Sequence, residues 1–79
     1  MQSLTMNLAL YFRINLRNRR KELHLTQTQL ADKMGIKQPN VAAIEAGERI
    51  PTLETCERFA AALETNAMAM LTEPVKTLV

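Results

Sequence analysis

Apolar residues in this chain come in short clusters spaced three and four apart, the period of one helix face. No stretch alternates long enough to make a strand, and β-branched residues are few, so an all-α chain is expected. Gly35, Pro39, Gly47, Pro51 and Pro74 cut the pattern into short helical pieces. The first runs from about Thr5 or Asn7 to Leu23, with Leu8, Phe12, Leu16 and Leu23 on its inner stripe. The second starts at Gln27, behind Thr26, whose hydroxyl suits an N-cap. It turns Leu30, Ala31 and Met34 inward and stops at Gly35, with Ile36 plugging the turn. The third spans about Gln38 to Ala46 and tolerates Pro39 in its first turn. Val41 and Ile44 face inward there, and Lys37 before it is a poor cap. The fourth follows Pro51, with Thr52 as cap, Glu54 in the first turn, and Leu53, Cys56, Phe59, Ala60 and Leu63 as its stripe. Asn66 caps a short fifth helix from Ala67 to about Thr72.

One residue breaks the pattern. Arg20 falls on the inner stripe of the first helix, four after Leu16 and three before Leu23. Such an arginine either snorkels to the surface or is paired with a carboxylate supplied from elsewhere in the chain.

Composition narrows the classes. Seventy-nine residues make a single domain, 1–79, with an aliphatic core, since only three aromatics are present. A lone Cys56 gives no internal disulfide, which fits a reduced, cytoplasmic compartment. One His and one Cys cannot build a four-ligand metal site. No apolar run approaches the ~20 residues of a membrane span. The start, MQSLTMNLALYF, has Asn7 in its middle and no basic flank, unlike a signal peptide. Charge is uneven. Residues 1–37 carry seven basic and two acidic side chains; residues 38–79 carry three and six. That division suggests one face for a polyanion and another for something else, with ordinary solvated surface as the plainer explanation.

Two short helices joined by a tight Gly turn, with a small residue where they cross, meet the physical needs of a helix-turn-helix. Ala31, Gly35 and Val41 lie at offsets of four and then six, and Ile36 and Ile44 complete the wedge. The stretch LTQTQLADKMGIKQPNVAAIEAGERIPTLETCERFAAAL resembles the DNA-binding domain of phage Cro and C1-type repressors, the XRE family. The matching positions are Leu25-Thr26-Gln27, Leu30-Ala31, Gly35-Ile36, Val41, Ile44-Glu45, Gly47 and Pro51 to Thr55. The likeness covers about residues 12–71, with the helix-turn-helix at about 27–46.

The resemblance implies a five-helix, lambda-repressor-like fold and sequence-specific binding of double-stranded DNA, usually as a homodimer. It implies that Arg20 pairs with Glu45, which makes Glu45 structural although it lies in the recognition helix. Gln27, next to Thr26, matches the residue that holds a phosphate at a helix N-terminus; a solvent-facing first-turn Gln is the alternative. Gln38, Pro39, Ala42 and Ala43 match base-facing positions. Gln38 suits a bidentate pair with adenine, or is merely an exposed helix-start residue; Pro39, Ala42 and Ala43 offer only apolar contact, for example to thymine methyls. Lys37 and Asn40 would reach phosphate or a flanking base, and Arg49 either touches the backbone or is an ordinary loop arginine. Two departures stand out. His24 and Glu64 occupy positions where the family often has Gly, and both would need a left-handed backbone.

The expected function is therefore a transcriptional regulator, a repressor or controller, that binds a palindromic operator. No catalytic set, cofactor motif or second domain is expected. Dimerisation is expected through the fifth helix and tail, Met68, Leu71, Val75, Leu78 and Val79, unless the tail folds back on the core. The front end, Met1 to Tyr11, is expected to extend the first helix or cover an apolar surface. The competing class is an antitoxin or adaptor with a protein partner such as a toxin, using the fold mainly as scaffold.

Overall fold

Five helices follow one another in the computed structural model, which describes residues 7–74. They are α1 (Leu8–Glu22), α2 (Gln27–Met34), α3 (Gln38–Glu45), α4 (Leu53–Ala62) and α5 (Ala67–Leu71), with no strand among the described residues. The bounds follow from local chemistry. Asn7, Thr26, Thr52 and Asn66 each accept a first-turn amide at the heads of α1, α2, α4 and α5. At α2 the cap is reciprocal, because the Gln29 carbonyl accepts the Thr26 amide at 2.8 Å. Lys37 gives α3 no side-chain cap, and Pro39 in the first turn removes one amide that would otherwise lack a partner. Gly35 closes α2 at φ 71°, where Ala31 and Asp32 carbonyls receive its amide. His24 and Glu64 adopt the same left-handed region, φ 58° and 61°, after α1 and α4.

The core draws on every helix. Phe12 and Leu16 of α1 meet Leu30 and Ala31 of α2, Val41 and Ile44 of α3, Cys56, Phe59 and Ala60 of α4, then Leu63 and Met70. Phe12 and Phe59 pack edge to face, centroids 5.9 Å apart. Cys56 is a buried hydrophobe here, and burial pushes its thiol up. Two expectations fail: Leu8 is 39% exposed and Leu53 72%. Each stands at the edge of its stripe in the first turn of its helix, so the neighbouring helices do not cover it. Helix ends also shift slightly. α1 ends at Glu22, α3 at Glu45 and α5 at Leu71, with Leu23, Ala46 and Thr72 as their caps.

Polar ties fix α4 and α5 against α1. The Asn15 amide donates to the carbonyls of Met70 and Thr72, 2.8 Å each. The Arg19 Nε donates to the Leu63 carbonyl at 2.9 Å. These bonds satisfy carbonyls that helix ends leave open. The α1–α4–α5 group thus forms the base against which α2 and α3 are held.

Candidate nucleic-acid interface

α3 has two unlike sides. Its inward side, Val41 and Ile44, is buried. Its outward face is Pro39, Ala42, Ala43 and Ala46, recurring at i, i+3, i+4 and i+7. Pro39 and Ala46 are exposed; Ala42 and Ala43 are half-buried. Ala46 joins this face although the sequence reading placed it only as the end of the helix. The period was enough to find it.

A chain of polar groups runs along the edge of α3 that meets α1 and α2. Arg20 donates from Nε to Glu45 Oε2 at 2.6 Å and from Nη2 to Glu45 Oε1 at 3.0 Å. Its Nη1 donates to the Leu25 carbonyl at 2.7 Å. The two side chains are only 10% and 6% exposed, so this is a buried, bidentate pair. Gln27 Nε2 donates to Glu45 Oε1 at 3.1 Å, and Gln38 Nε2 donates to Gln27 Oε1 at 2.8 Å. The chain therefore runs Arg20, Glu45, Gln27, Gln38, from the core outward. Burial pulls the Glu45 carboxyl up, but hydrogen bonds from Arg20 and Gln27 and the charges of Arg20 and Arg17 outweigh it. The net result holds Glu45 below the usual carboxylate range.

The relay leaves Gln38 competent. A primary amide has two N–H groups and a carbonyl. One N–H is held by Gln27; the other, with the carbonyl, is the pair that adenine N7 and N6 require. Gln27 by contrast has its carbonyl and one N–H engaged within the protein. Sequence reasoning treated Gln27 and Gln38 separately and missed that they form one unit.

The remaining candidates surround this core. Thr26 is exposed, its hydroxyl oxygen accepting the Gln29 amide at 3.0 Å. Lys37 is exposed at the head of α3. On the opposite edge, Arg49 Nη1 donates to Asn40 Oδ1 at 2.8 Å, which fastens the loop after α3 to its first turn. Met68 is 76% exposed, whereas Leu71 is half-buried against the core. Val75, Leu78 and Val79 lie outside the described residues. Among the described residues no cluster of His, Cys, Asp or Glu could hold a metal ion, and no helix is long and apolar enough to cross a membrane.

A model of the helix-turn-helix family HTH_3 matches residues 16–67, which spans α2, α3 and α4 entire. The chain belongs to this family. Its members are Cro/C1-type (XRE) DNA-binding transcriptional regulators rather than enzymes. Over 51 residues the chain is 43% identical to the cryptic phage CTXphi transcriptional repressor RstR of Vibrio cholerae, covering 65% of this chain and 46% of the repressor. Over 55 residues it is 36% identical to the antitoxin HigA1 of Mycobacterium tuberculosis, covering 70% of this chain and 37% of the antitoxin. The chain thus spans less than half the length of these two relatives. An uncharacterised HTH-type transcriptional regulator of Methanothermobacter thermautotrophicus is 42% identical over 48 residues, 61% of this chain and 70% of that protein. The fold is also that of a hypothetical transcription factor, NHTF, from Neisseria. Their TM-score is 0.82 at 29% identity, over 86% of this chain and 78% of the other.

Proposed function

We propose that this chain reads a palindromic operator as a homodimer, with α3 in the major groove. The observation that carries the reading is the Arg20–Glu45–Gln27–Gln38 chain. It aims one amide from the edge of a helix whose outward face is otherwise small and apolar. Such a face supports close approach of the helix and contact with thymine methyls, while Gln38 supplies the adenine contact. Lys37, Asn40 and Arg49 flank it for phosphate contacts, with Thr26, the remaining N–H of Gln27 and the open amides at the head of α2 on the other side. One bidentate reader per half-site is little information. The rest of the specificity comes from DNA shape and half-site spacing, hence a dimer with recognition helices ~34 Å apart. Exposed Met68 is the starting point of the dimer surface, with Leu71 at its edge. Repression is the favoured outcome, by likeness to the phage repressor.

The test is selection from random duplexes at fixed salt with the wild type and Gln38→Ala. The expected result is an enriched inverted repeat whose half-sites lie about one helical turn apart. Its adenine preference is lost in the variant. Recovery of no shared site sinks the regulator reading, and an adenine preference that survives Gln38→Ala removes the role given to that residue. Likeness to an antitoxin favours a second reading, in which the fold carries a toxin-binding surface as well. A chain that selects no DNA yet binds a toxin in a defined complex would establish that reading instead.

A further inference from the structure

Three of the four arginines of α1, Arg13, Arg17 and Arg20, stand at i, i+4 and i+7, so they share one side of the helix. Arg20 fixes the direction of that side, because it is bonded to Glu45 at the end of α3. The other two follow it along the same seam. Arg17 is exposed and close enough for its charge to favour the ionised Glu45. Arg13 lies over Gly47, the residue that turns the chain out of α3. A Cβ built on Gly47 would stand 2.9 Å from Arg13 Nη1 and 3.2 Å from its Cζ. Gly47 therefore both takes the left-handed backbone, φ 81°, and leaves room for the guanidinium. Arg13, Gly47, Ala46 and Arg49 line one open cleft of about 290 Å³.

Among the described residues, neither Arg13 nor Arg17 makes an ion pair or a side-chain hydrogen bond. Arg19, Arg20 and Lys33 are each paired with a glutamate. Two guanidinium groups that make no direct ion pair among the described residues, beside the exposed end of a helix proposed to face DNA, form a cationic track, and guanidinium matches phosphate oxygens two at a time. We infer that Arg13 and Arg17 bind the phosphodiester backbone of the duplex beyond the C-terminal end of α3, extending the interface onto α1. The inference rests on the DNA-binding reading above. It adds a phosphate contact zone on α1, beside the loop that carries Arg49, to those proposed for the head of α2 and for Lys37, Asn40 and Arg49. The competing role is internal: cations beside a helix C-terminus favour that helix through its dipole.

Salt dependence separates the two. Affinity for the selected operator and for an unrelated duplex is measured between about 50 and 200 mM salt. The proteins compared are the wild type, Arg13→Gln, Arg17→Gln and Lys33→Gln. Lys33 is the charge control, since it faces Glu64 on the far side of α2. Each arginine variant is expected to lower the slope of log affinity against log salt by about 0.9, weakening both duplexes by the same factor. Lys33→Gln leaves the slope unchanged. Wild-type slopes in both arginine variants overturn the inference. A drop in melting temperature in those variants would then assign the arginines to α3 itself. A wild type that binds neither duplex takes down the DNA-binding reading together with this one.

Discussion

The inner edge and the outer face of α3 obey opposite rules. Along the inner edge the polar side chains are linked in series: Arg20 to Glu45 and Leu25, Glu45 to Gln27, Gln27 to Gln38. No buried side-chain nitrogen or oxygen among the described residues lacks a partner. The outer face of Pro39, Ala42, Ala43 and Ala46 makes no such demands and is defined by its small size. One side holds the helix at its angle and, in the proposed reading, aims a single reader. The other would set how closely the helix approaches DNA. Substitutions should therefore damage folding on the inner edge and damage binding alone on the outer face.

The largest expected effect is on the inner edge. Glu45→Ala leaves Arg20 buried without its counter-charge and should cost about 3–5 kcal/mol. The denaturant midpoint reports it, with an unchanged slope if the unfolded state is unaffected. Replacing both partners at once, Arg20→Met with Glu45→Leu, should recover most of that loss, because a matched apolar pair needs no compensation. DNA selection should still be impaired, since Gln27 then loses the acceptor that orients it. A double variant as unstable as Glu45→Ala would show that packing, rather than charge pairing, governs this edge.

Acid probes the same pair without mutation. Glu45 is held below the usual carboxylate range in the folded chain. The stability from its ionised form is fully present above the unfolded carboxylate value, about 4.3. It is lost as pH falls through the lower folded value. The melting temperature should thus fall below about pH 4.5 in the wild type and fall less steeply in Glu45→Gln. Equal slopes for the two proteins would mean that other carboxylates carry the acid sensitivity.

A smaller effect is expected one step outward. Gln27→Ala removes one hydrogen bond to Glu45 and one from Gln38, while Arg20 continues to hold Glu45. Stability should fall by about 1–2 kcal/mol. Adenine preference should relax as far as it does in Gln38→Ala, because a freely rotating amide no longer selects one base. Selection of an unchanged site by Gln27→Ala would break the claim that the two glutamines act as a unit.

What the sequence revealed follows the same division. Caps are local, so Thr26, Thr52 and Asn66 were legible from one residue and its neighbours, whereas the left-handed backbone at His24 and Glu64 was legible only through the resemblance, which often has Gly there. Arg20 was conspicuous because a charge on an apolar stripe needs an explanation, and the resemblance supplied Glu45. The Gln27–Gln38 bond was not legible. It joins residues eleven apart across a turn, and it depends on the angle at which α3 leaves Gly35 and Ile36. Leu8 and Leu53 were misplaced because a stripe gives direction but not how far the neighbouring helices extend. Arg13 and Arg17 were counted as charge without being set on the α1 wheel, where their period with Arg20 aligns them.

The smallest effect on folding belongs to the outer face, and it tests the comparison most sharply. Ala43→Ser exchanges a methyl for a hydroxymethyl on a half-buried position of that face. The helix propensity cost is about 0.5 kcal/mol, barely visible in a melting curve. The same change places a donor and an acceptor on a surface that otherwise has none, and serine can bond to base edges or phosphate. If the outer face lies against the groove, selection with Ala43→Ser should alter the preferred base at a position that the wild type reads only through apolar contact. The Gln38-dependent adenine should remain. An unchanged selected site in every position would mean that the alanines face away from DNA, and that α3 meets its target by the Gln38 edge alone.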